Sequence, residues 1–129
     1  MELIIANSKH IIHAQDISRC IGESAKMRGT GIARRSPEYI SKKMEAGNAV
    51  IALENNKFAG FCYIEVWGHG KYVAHSGLIV SPDHRGKGLA KQIKQKVFDL
   101  SKKKFPDSKI FGITTGKAVM RINFELGYQ

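Results

Sequence analysis

The spacing of apolar residues divides the chain into helical and extended segments. Apolar side chains recur every three or four residues over residues 9–27 and 88–104, which is the spacing of an amphipathic helix. In the second of these helices the apolar face consists of Leu89, Ile93, Val97 and Leu100. Further helices are predicted from Ser36 to Gly47 and over residues 117–126. Short apolar runs predict strands at residues 2–6, 49–53, 58–67, 72–80 and 109–114.

The resulting order, β-α-α-β-β-β-α-β-α, predicts a mixed α/β fold (an α+β mixed sheet) in one domain covering residues 1–129. Ser8 is the expected N-cap of the first helix, and Ser36-Pro37 marks the start of the second. The glycines of residues 28–35 predict a loop between these helices. An Asn-rich turn at residues 54–57 separates two β-type runs and predicts a hairpin.

Charge and cysteine content limit the classes of function. The formal net charge is +10, which favours anionic partners such as a phosphorylated ligand, an acidic metabolite or a nucleic acid. Cys20 and Cys62 belong to no metal-binding or redox spacing, so free buried thiols are expected. No apolar run reaches the roughly 18 residues of a membrane span, and no signal peptide is recognisable. These features predict a cytoplasmic protein that does not act in a membrane.

The segment after the fourth predicted strand carries the clearest chemical signal. Apolar residues 77–80 lead through Ser81-Pro82 into a basic, glycine-bearing turn, and a long helix follows. The unpaired N–H groups and the dipole of a helix N-terminus favour anions. Gly86 and Gly88 let the backbone approach a ligand closely, and Arg85 and Lys87 add positive charge. The segment therefore predicts a site for a phosphorylated ligand.

Known phosphate motifs narrow the type of ligand. The chain contains neither a G-x-x-x-x-G-K-[ST] loop nor a G-x-G-x-x-G fingerprint. The pattern Arg85-x-x-Gly88-x-Ala90 instead resembles the R-x-x-G-x-G/A signature of the GNAT acyltransferase superfamily. The preceding strand and the later Glu125-Leu126-Gly127-Tyr128 resemble that family's fourth strand and its usual "LGF" or "LGY" close. The resemblance covers essentially the whole chain in order.

The resemblance implies an enzyme that transfers an acyl group from acetyl-CoA, or another acyl-CoA, to an amine. It implies a mixed sheet that opens between its fourth and fifth strands to admit the pantetheine arm. The turn would hold the pyrophosphate, and the main chain of the fourth strand would bind the pantetheine amides. The implied cofactor-binding residues are Leu78, Ile79, Val80, Arg85, Gly86, Lys87, Gly88, Leu89, Ala90 and Asn123.

The residues that would move protons are less clearly marked. Glu65 is the sole acid of the third strand, and His75 and Ser76 lie where the family often has a glutamate. Each is a candidate for the general base, and a chain of waters is an alternative. Asn123 stands at the position of the family's usual catalytic tyrosine and cannot act as an acid. A thiolate needs little help in leaving at neutral pH, so catalysis does not require that tyrosine.

The acceptor is indicated by the loop between the first two helices, which shapes the acceptor pocket in the family. Arg28, Arg34 and Arg35 could clamp carboxylates, so a small acidic amine is expected. The loop also resembles, more loosely, a GNAT subgroup linked to arginine biosynthesis in which glutamate is the amine. The five histidines form no metal set, so no metal is expected.

Other functions stay open from the sequence. A protein or polyamine acceptor is one alternative, and an acyl-CoA-binding module without turnover is another. A basic nucleic-acid-binding domain is disfavoured because the aromatic residues lie mostly in apolar strand-type runs. A homodimer also stays open. The family usually has two further strands after the "LGY" helix, and their absence favours a fragment of a longer protein over a partner that completes the sheet.

Overall fold

The fold is an open sheet covered by helices on both faces. The computed structural model describes residues 1–27 and 36–112 of the chain. The strands and α-helices, in chain order, are β1 (Glu2–Ile5), α1 (Ala14–Met27), α2 (Pro37–Glu45), β2 (Ala49–Glu54), β3 (Lys57–Trp67), β4 (Tyr72–Val80), α3 (Leu89–Lys104) and β5 (Lys109–Gly112). Two short 3-10 helices, Ser8–His13 and Pro82–His84, precede α1 and α3 respectively.

The described strands follow one another across the sheet in the order β1-β2-β3-β4-β5. The first four are antiparallel neighbours, whereas β5 pairs with β4 in parallel. The predicted mixed α/β fold is therefore confirmed. The expected helix at residues 117–126 and the expected opening between β4 and β5 beyond Gly112 lie outside the described residues.

Two hydrophobic cores fill the spaces between the sheet and the helices. Side chains alternate between the faces of a strand, so neighbours in β3 enter different cores. Phe61 and Tyr63 pack with Ile17 of α1 and Ile40 of α2. On the other face, the apolar side of α3 packs against the sheet with the predicted residues Leu89, Ile93, Val97 and Leu100. Burial of each such side chain contributes about 1.5–3 kcal/mol.

Side-chain caps set the start of the first two helical segments. The 3-10 helix before α1 is capped by Asn7, whose side chain accepts a hydrogen bond from the Lys9 N–H at 2.8 Å. The prediction of Ser8 as the N-cap is therefore wrong by one residue, because an asparagine in extended conformation precedes it. At α2 the predicted cap is confirmed, since Ser36 Oγ accepts from the Tyr39 N–H at 3.1 Å.

The β2–β3 hairpin is closed by a two-residue turn. Asn55 and Asn56 have φ angles of 52° and 64°, the left-handed conformation that both central residues of a type I′ turn require. Asparagine tolerates this conformation better than most residues. The turn confirms the predicted hairpin and places Glu54, the last residue of β2, in contact with His84, which follows the end of β4.

A bulge interrupts β4 where the strand approaches the predicted anion turn. Tyr63 pairs with Ser76 and Phe61 pairs with Ile79, so two residues of β4 lie opposite Cys62 alone. Gly77 is in the left-handed conformation with φ 66°. A bulge of this kind bends a strand and re-aims its backbone groups. It lies next to the part of β4 for which the resemblance to the GNAT family implies pantetheine binding.

Candidate active site

The predicted anion turn is an open loop that leads into a helix without a side-chain cap. Gly86 and Gly88 have φ angles of 77° and 78°, which glycine adopts without strain. Gly88 is the N-cap of α3 and provides no side chain to accept the first N–H groups. The first turn of α3 has no acidic residue. The helix end therefore offers unneutralised N–H donors to an external anion.

In the described part of the chain, the space that a side chain would fill at Gly86 or Gly88 is open. A Cβ built on Gly86 or Gly88 meets nothing within 4 Å. The glycines are thus not required by crowding inside the described protein. Their backbone conformation and open surroundings instead allow close approach of a ligand from outside.

The Arg85 side chain folds back toward the sheet. Its Nε donates to the Val80 carbonyl oxygen at 3.0 Å. Its guanidinium also lies beside Cys20 of α1. Burial raises the pKa of the Cys20 thiol, and the Arg85 charge partly opposes that rise. Arg85 therefore joins the end of β4 to α1, while Lys87 is exposed on the turn itself.

Glu65 lies on the sheet face that α1 and α2 cover. It is opposite Ala74 in the β3–β4 pairing, and its carboxylate is 3.5 Å from Lys43 Nζ. Lys43 also donates to the Ile64 carbonyl oxygen at 2.8 Å. Burial lowers the pKa of Lys43. The Glu65 side chain is 29% exposed, so it is accessible to a substrate from this face.

Two tyrosines complete the surroundings of Lys43. Its Nζ is 5.5 Å from the ring centre of Tyr39 and 5.7 Å from that of Tyr63. Tyr63 pairs with Ser76, so Ser76 is close to the same face as Glu65. The structure therefore brings two of the candidate catalytic residues, Glu65 and Ser76, to one side of the sheet.

His75, the other candidate for the general base, lies on the opposite face of the sheet from Glu65 and Ser76. It pairs with Ile64, is 1% exposed, and its Nε2 is 2.6 Å from Ser101 Oγ of α3. Burial, followed by the charge of the nearby Lys94, lowers the pKa of His75 to about 3. A histidine that is buried, engaged and so weakly basic is not suited to take a proton from an amine.

The fourth strand supplies side chains to both cores. Ile79 enters the core under α1 and α2, whereas Leu78 and Val80 pack toward α3. The backbone binding predicted for these residues is compatible with this packing. The remaining candidates, Arg28, Arg34, Arg35 and Asn123, lie outside the described residues.

Sequence reasoning missed three features of this region. They are the bulge at Gly77, the ion pair of Lys43 with Glu65, and a contact chain from Glu54 through His84 to Ser81. The glycine in an apolar strand was a signal for the bulge. The other two join residues far apart in sequence, and no local pattern indicates them.

Residues 1–27 and 36–112 show neither a metal-binding cluster nor a membrane-spanning helix. In this part of the chain no three or more His, Cys, Asp or Glu side chains are grouped so that they could hold a metal ion. Within the same ranges, no helix is long and apolar enough to cross a membrane. Cys20 and Cys62 are both buried free thiols, as predicted.

The family is established by a match over most of the chain. The model of the acetyltransferase (GNAT) family matches residues 30–117. The chain belongs to this family of acetyltransferases, and the predicted resemblance to the GNAT family is confirmed. Among curated proteins no significant sequence match was found.

Solved structures share the fold at low sequence identity. The yncA protein of Salmonella typhimurium, solved with its cofactor acetyl-CoA, is 20% identical with a TM-score of 0.77, over 98% of this chain and 78% of its own. A Clostridium acetobutylicum protein described as an acetyltransferase, solved with acetyl-CoA, is 19% identical with a TM-score of 0.67, over 99% and 89%. These complexes agree with the expected CoA co-substrate.

One similar structure is much longer than this chain. N-acetylglutamate synthase from Neisseria gonorrhoeae, solved with coenzyme A and N-acetyl-glutamate, is 17% identical with a TM-score of 0.72. The match covers 95% of this chain but 27% of the synthase. At this identity the likeness concerns the fold.

The burial of His75 predicts a loss of stability in mild acid. The pKa of His75 is about 3 in the native state and has the ordinary histidine value of 6.5 in the unfolded state, so the unfolded state binds more protons between these values. The stability that depends on a neutral His75 is therefore fully present above the unfolded pKa, and it is lost as the pH decreases toward the native pKa. From about pH 7.5 to about pH 5 we expect the free energy of unfolding to fall by about 2 kcal/mol.

Urea denaturation at the two pH values measures this change, and histidine variants assign it. His75→Asn should remove most of the pH dependence. His69→Asn, a change at an exposed turn residue, should leave it intact. A pH dependence that survives His75→Asn would show that another group is responsible.

Proposed function

We propose that this protein transfers an acetyl group, or another acyl group, from acyl-CoA to the primary amine of a small acidic metabolite such as a glutamate-like amino acid. The observation that carries the proposal is the open turn at Gly86 and Gly88, which ends in an uncapped helix N-terminus. Its N–H donors suit the pyrophosphate of CoA. Membership of the acetyltransferase family and the complexes of similar structures with acetyl-CoA support the choice of CoA.

The transfer itself is a displacement at the thioester carbonyl. The neutral amine attacks the carbonyl carbon, a C–N bond forms, the C–S bond breaks, and CoA leaves as the thiolate. Backbone N–H groups of residues 78–80 would polarise the carbonyl oxygen, because donors aimed at a developing negative charge stabilise it. Glu65 would take the proton from the amine. Ser76 near the same face could orient the amine or a water between them.

The acidic acceptor is supported by charge and by one structural relative. Arg28, Arg34 and Arg35 lie in the segment that joins α1 to α2, and arginine pairs with carboxylates in a two-pronged geometry. N-acetylglutamate synthase was solved with N-acetyl-glutamate. The buried free thiols suit a reducing compartment, so we propose action in the cytoplasm as one domain over residues 1–129.

An assay of thiol release from acetyl-CoA tests this function. The panel of acceptors would contain glutamate, aspartate, neutral amino acids, a polyamine and a lysine-containing peptide. We expect faster release with glutamate or aspartate than with the neutral or cationic amines. A preference for the polyamine or the peptide would contradict the acidic acceptor, and binding of acetyl-CoA without release would indicate a non-catalytic module.

A further inference from the structure

A chain of three side chains connects the β2–β3 hairpin to the beginning of the anion turn. His84 Nε2 is 2.5 Å from a carboxylate oxygen of Glu54, and His84 Nδ1 is 2.6 Å from Ser81 Oγ. A carboxylate accepts hydrogen bonds, so Nε2–H donates to Glu54. In the neutral ring, Nδ1 then accepts from the Ser81 hydroxyl. Both ring nitrogens of His84 are thereby engaged.

The chain lies where the turn leaves the sheet. The Ser81 N–H donates to the Ala59 carbonyl oxygen of β3 at 2.8 Å, and the His84 N–H donates to the Ser81 carbonyl oxygen at 2.9 Å. Arg85 follows directly, and the two left-handed glycines come next. His84 therefore lies at the point where the chain leaves the sheet and enters the turn.

Arg85 also anchors the start of the turn through the Val80 carbonyl oxygen, but the two glycines that follow have no side chains to hold them. Glycines lose more conformational freedom on ordering than other residues, and Gly88 offers no capping side chain to hold the start of α3. An untethered turn would have to be ordered by its ligand, at a cost in affinity. The His84 side chain is 15% exposed and Glu54 is 42% exposed, so the contact is partly shielded from water.

We propose that His84, oriented by Glu54, is a positioning residue that preorganises the turn for the phosphates of CoA. The inference rests on the proposed function, because it concerns the same turn. It predicts that a break in the chain weakens CoA binding and raises the KM for acetyl-CoA, while kcat changes little. Ser81 is the third member, which transmits the orientation of His84 to the backbone.

Variants of Glu54 separate the hydrogen bond from the charge. Glu54→Ala and Glu54→Gln remove the same negative charge, but glutamine keeps an oxygen that can accept from His84. We expect Glu54→Ala and His84→Ala each to raise the dissociation constant of CoA about fivefold to tenfold, with no further rise in the double variant. Glu54→Gln should restore affinity to within about twofold of the wild type.

Asp83→Ala is the matched charge control, because Asp83 is an exposed acid in the same short 3-10 helix. Loss of a negative charge near a basic turn should strengthen phosphate binding slightly or leave it unchanged. If charge alone governed the site, Glu54→Ala would behave in the same way. Weaker CoA binding in Glu54→Ala but not in Asp83→Ala is the reverse of what charge alone predicts, and it would support the positioning role.

Calorimetric titration of CoA into the full chain measures the dissociation constant of each variant, and steady-state kinetics with acetyl-CoA measure kcat and KM. If the wild type binds CoA and Glu54→Ala binds equally well, the positioning role is overturned and the proposed function stands. If the wild type does not bind CoA, the proposed function fails and the inference fails with it. Nitrogen NMR of His84 gives an independent readout, since the hydrogen bond to Glu54 requires a proton on Nε2; a ring protonated at Nδ1 alone would overturn the proposal.

Discussion

Replacement of Gly77 with alanine should lower the free energy of unfolding by about 3 kcal/mol and abolish detectable CoA binding. A Cβ at this position would lie 2.3 Å from Cε1 of Tyr63, a distance that requires the ring to move. Tyr63 is fully buried and its ring packs edge-on against Tyr39, with 5.7 Å between the ring centres. The ring therefore has little room to yield. The left-handed backbone of Gly77 adds conformational strain to the clash.

Gly70→Ala is a suitable control for this experiment. Gly70 also has a positive φ, of 88°, but a Cβ there would meet nothing within 4 Å. Gly70→Ala should lower the free energy of unfolding by about 1 kcal/mol, because it adds the conformational strain without a clash. Urea denaturation of both variants measures the difference. Equal losses in Gly77→Ala and Gly70→Ala would show that the bulge is not held by the close packing of Tyr63.

The second large effect concerns Glu65 as the general base. Glu65→Gln keeps the shape of the side chain and removes its ability to take a proton. We expect kcat to fall about 100-fold, because general base catalysis contributes roughly that much or more. The KM for acetyl-CoA should be unchanged, since Glu65 lies on β3 and not in the turn that would bind the phosphates.

The ion pair with Lys43 requires two controls. Lys43→Met breaks the same ion pair but leaves the Glu65 carboxylate in place. If Glu65 is the group that takes the proton, kcat should fall far more in Glu65→Gln than in Lys43→Met. Glu45→Gln, at the end of α2, should behave as the wild type. A kcat of Glu65→Gln within about threefold of the wild type would assign the base to a water chain or to Ser76.

The features that sequence predicted well are those fixed by local patterns. The apolar spacing of Leu89, Ile93, Val97 and Leu100 specified which face of α3 is buried. The proline after Ser36 and the glycines around Lys87 specified a helix start and a turn. In each case the determining residues are within a few positions of one another, so their physical effects do not depend on the rest of the fold.

The features that sequence missed depend on register and on distant contacts. Glu65 and His75 both lie in strands and both carry titratable side chains, but only the β3–β4 register decides that they face opposite ways. The bulge at Gly77 further shifts that register along β4. Glu54 and His84 are 30 residues apart in sequence, and they meet because the β2–β3 hairpin closes beside the end of β4.

The most direct test of the central claim, that the turn at residues 85–90 binds the phosphates of CoA, is calorimetric titration of acetyl-CoA into the wild type and two charge-reversal variants. Arg85→Glu places a negative charge at the turn, whereas Lys103→Glu makes the same change at the far end of α3. We expect binding to the wild type and to Lys103→Glu, and at least roughly tenfold weaker binding to Arg85→Glu. Absence of binding to the wild type, or equal weakening in both variants, would contradict the assignment of this turn.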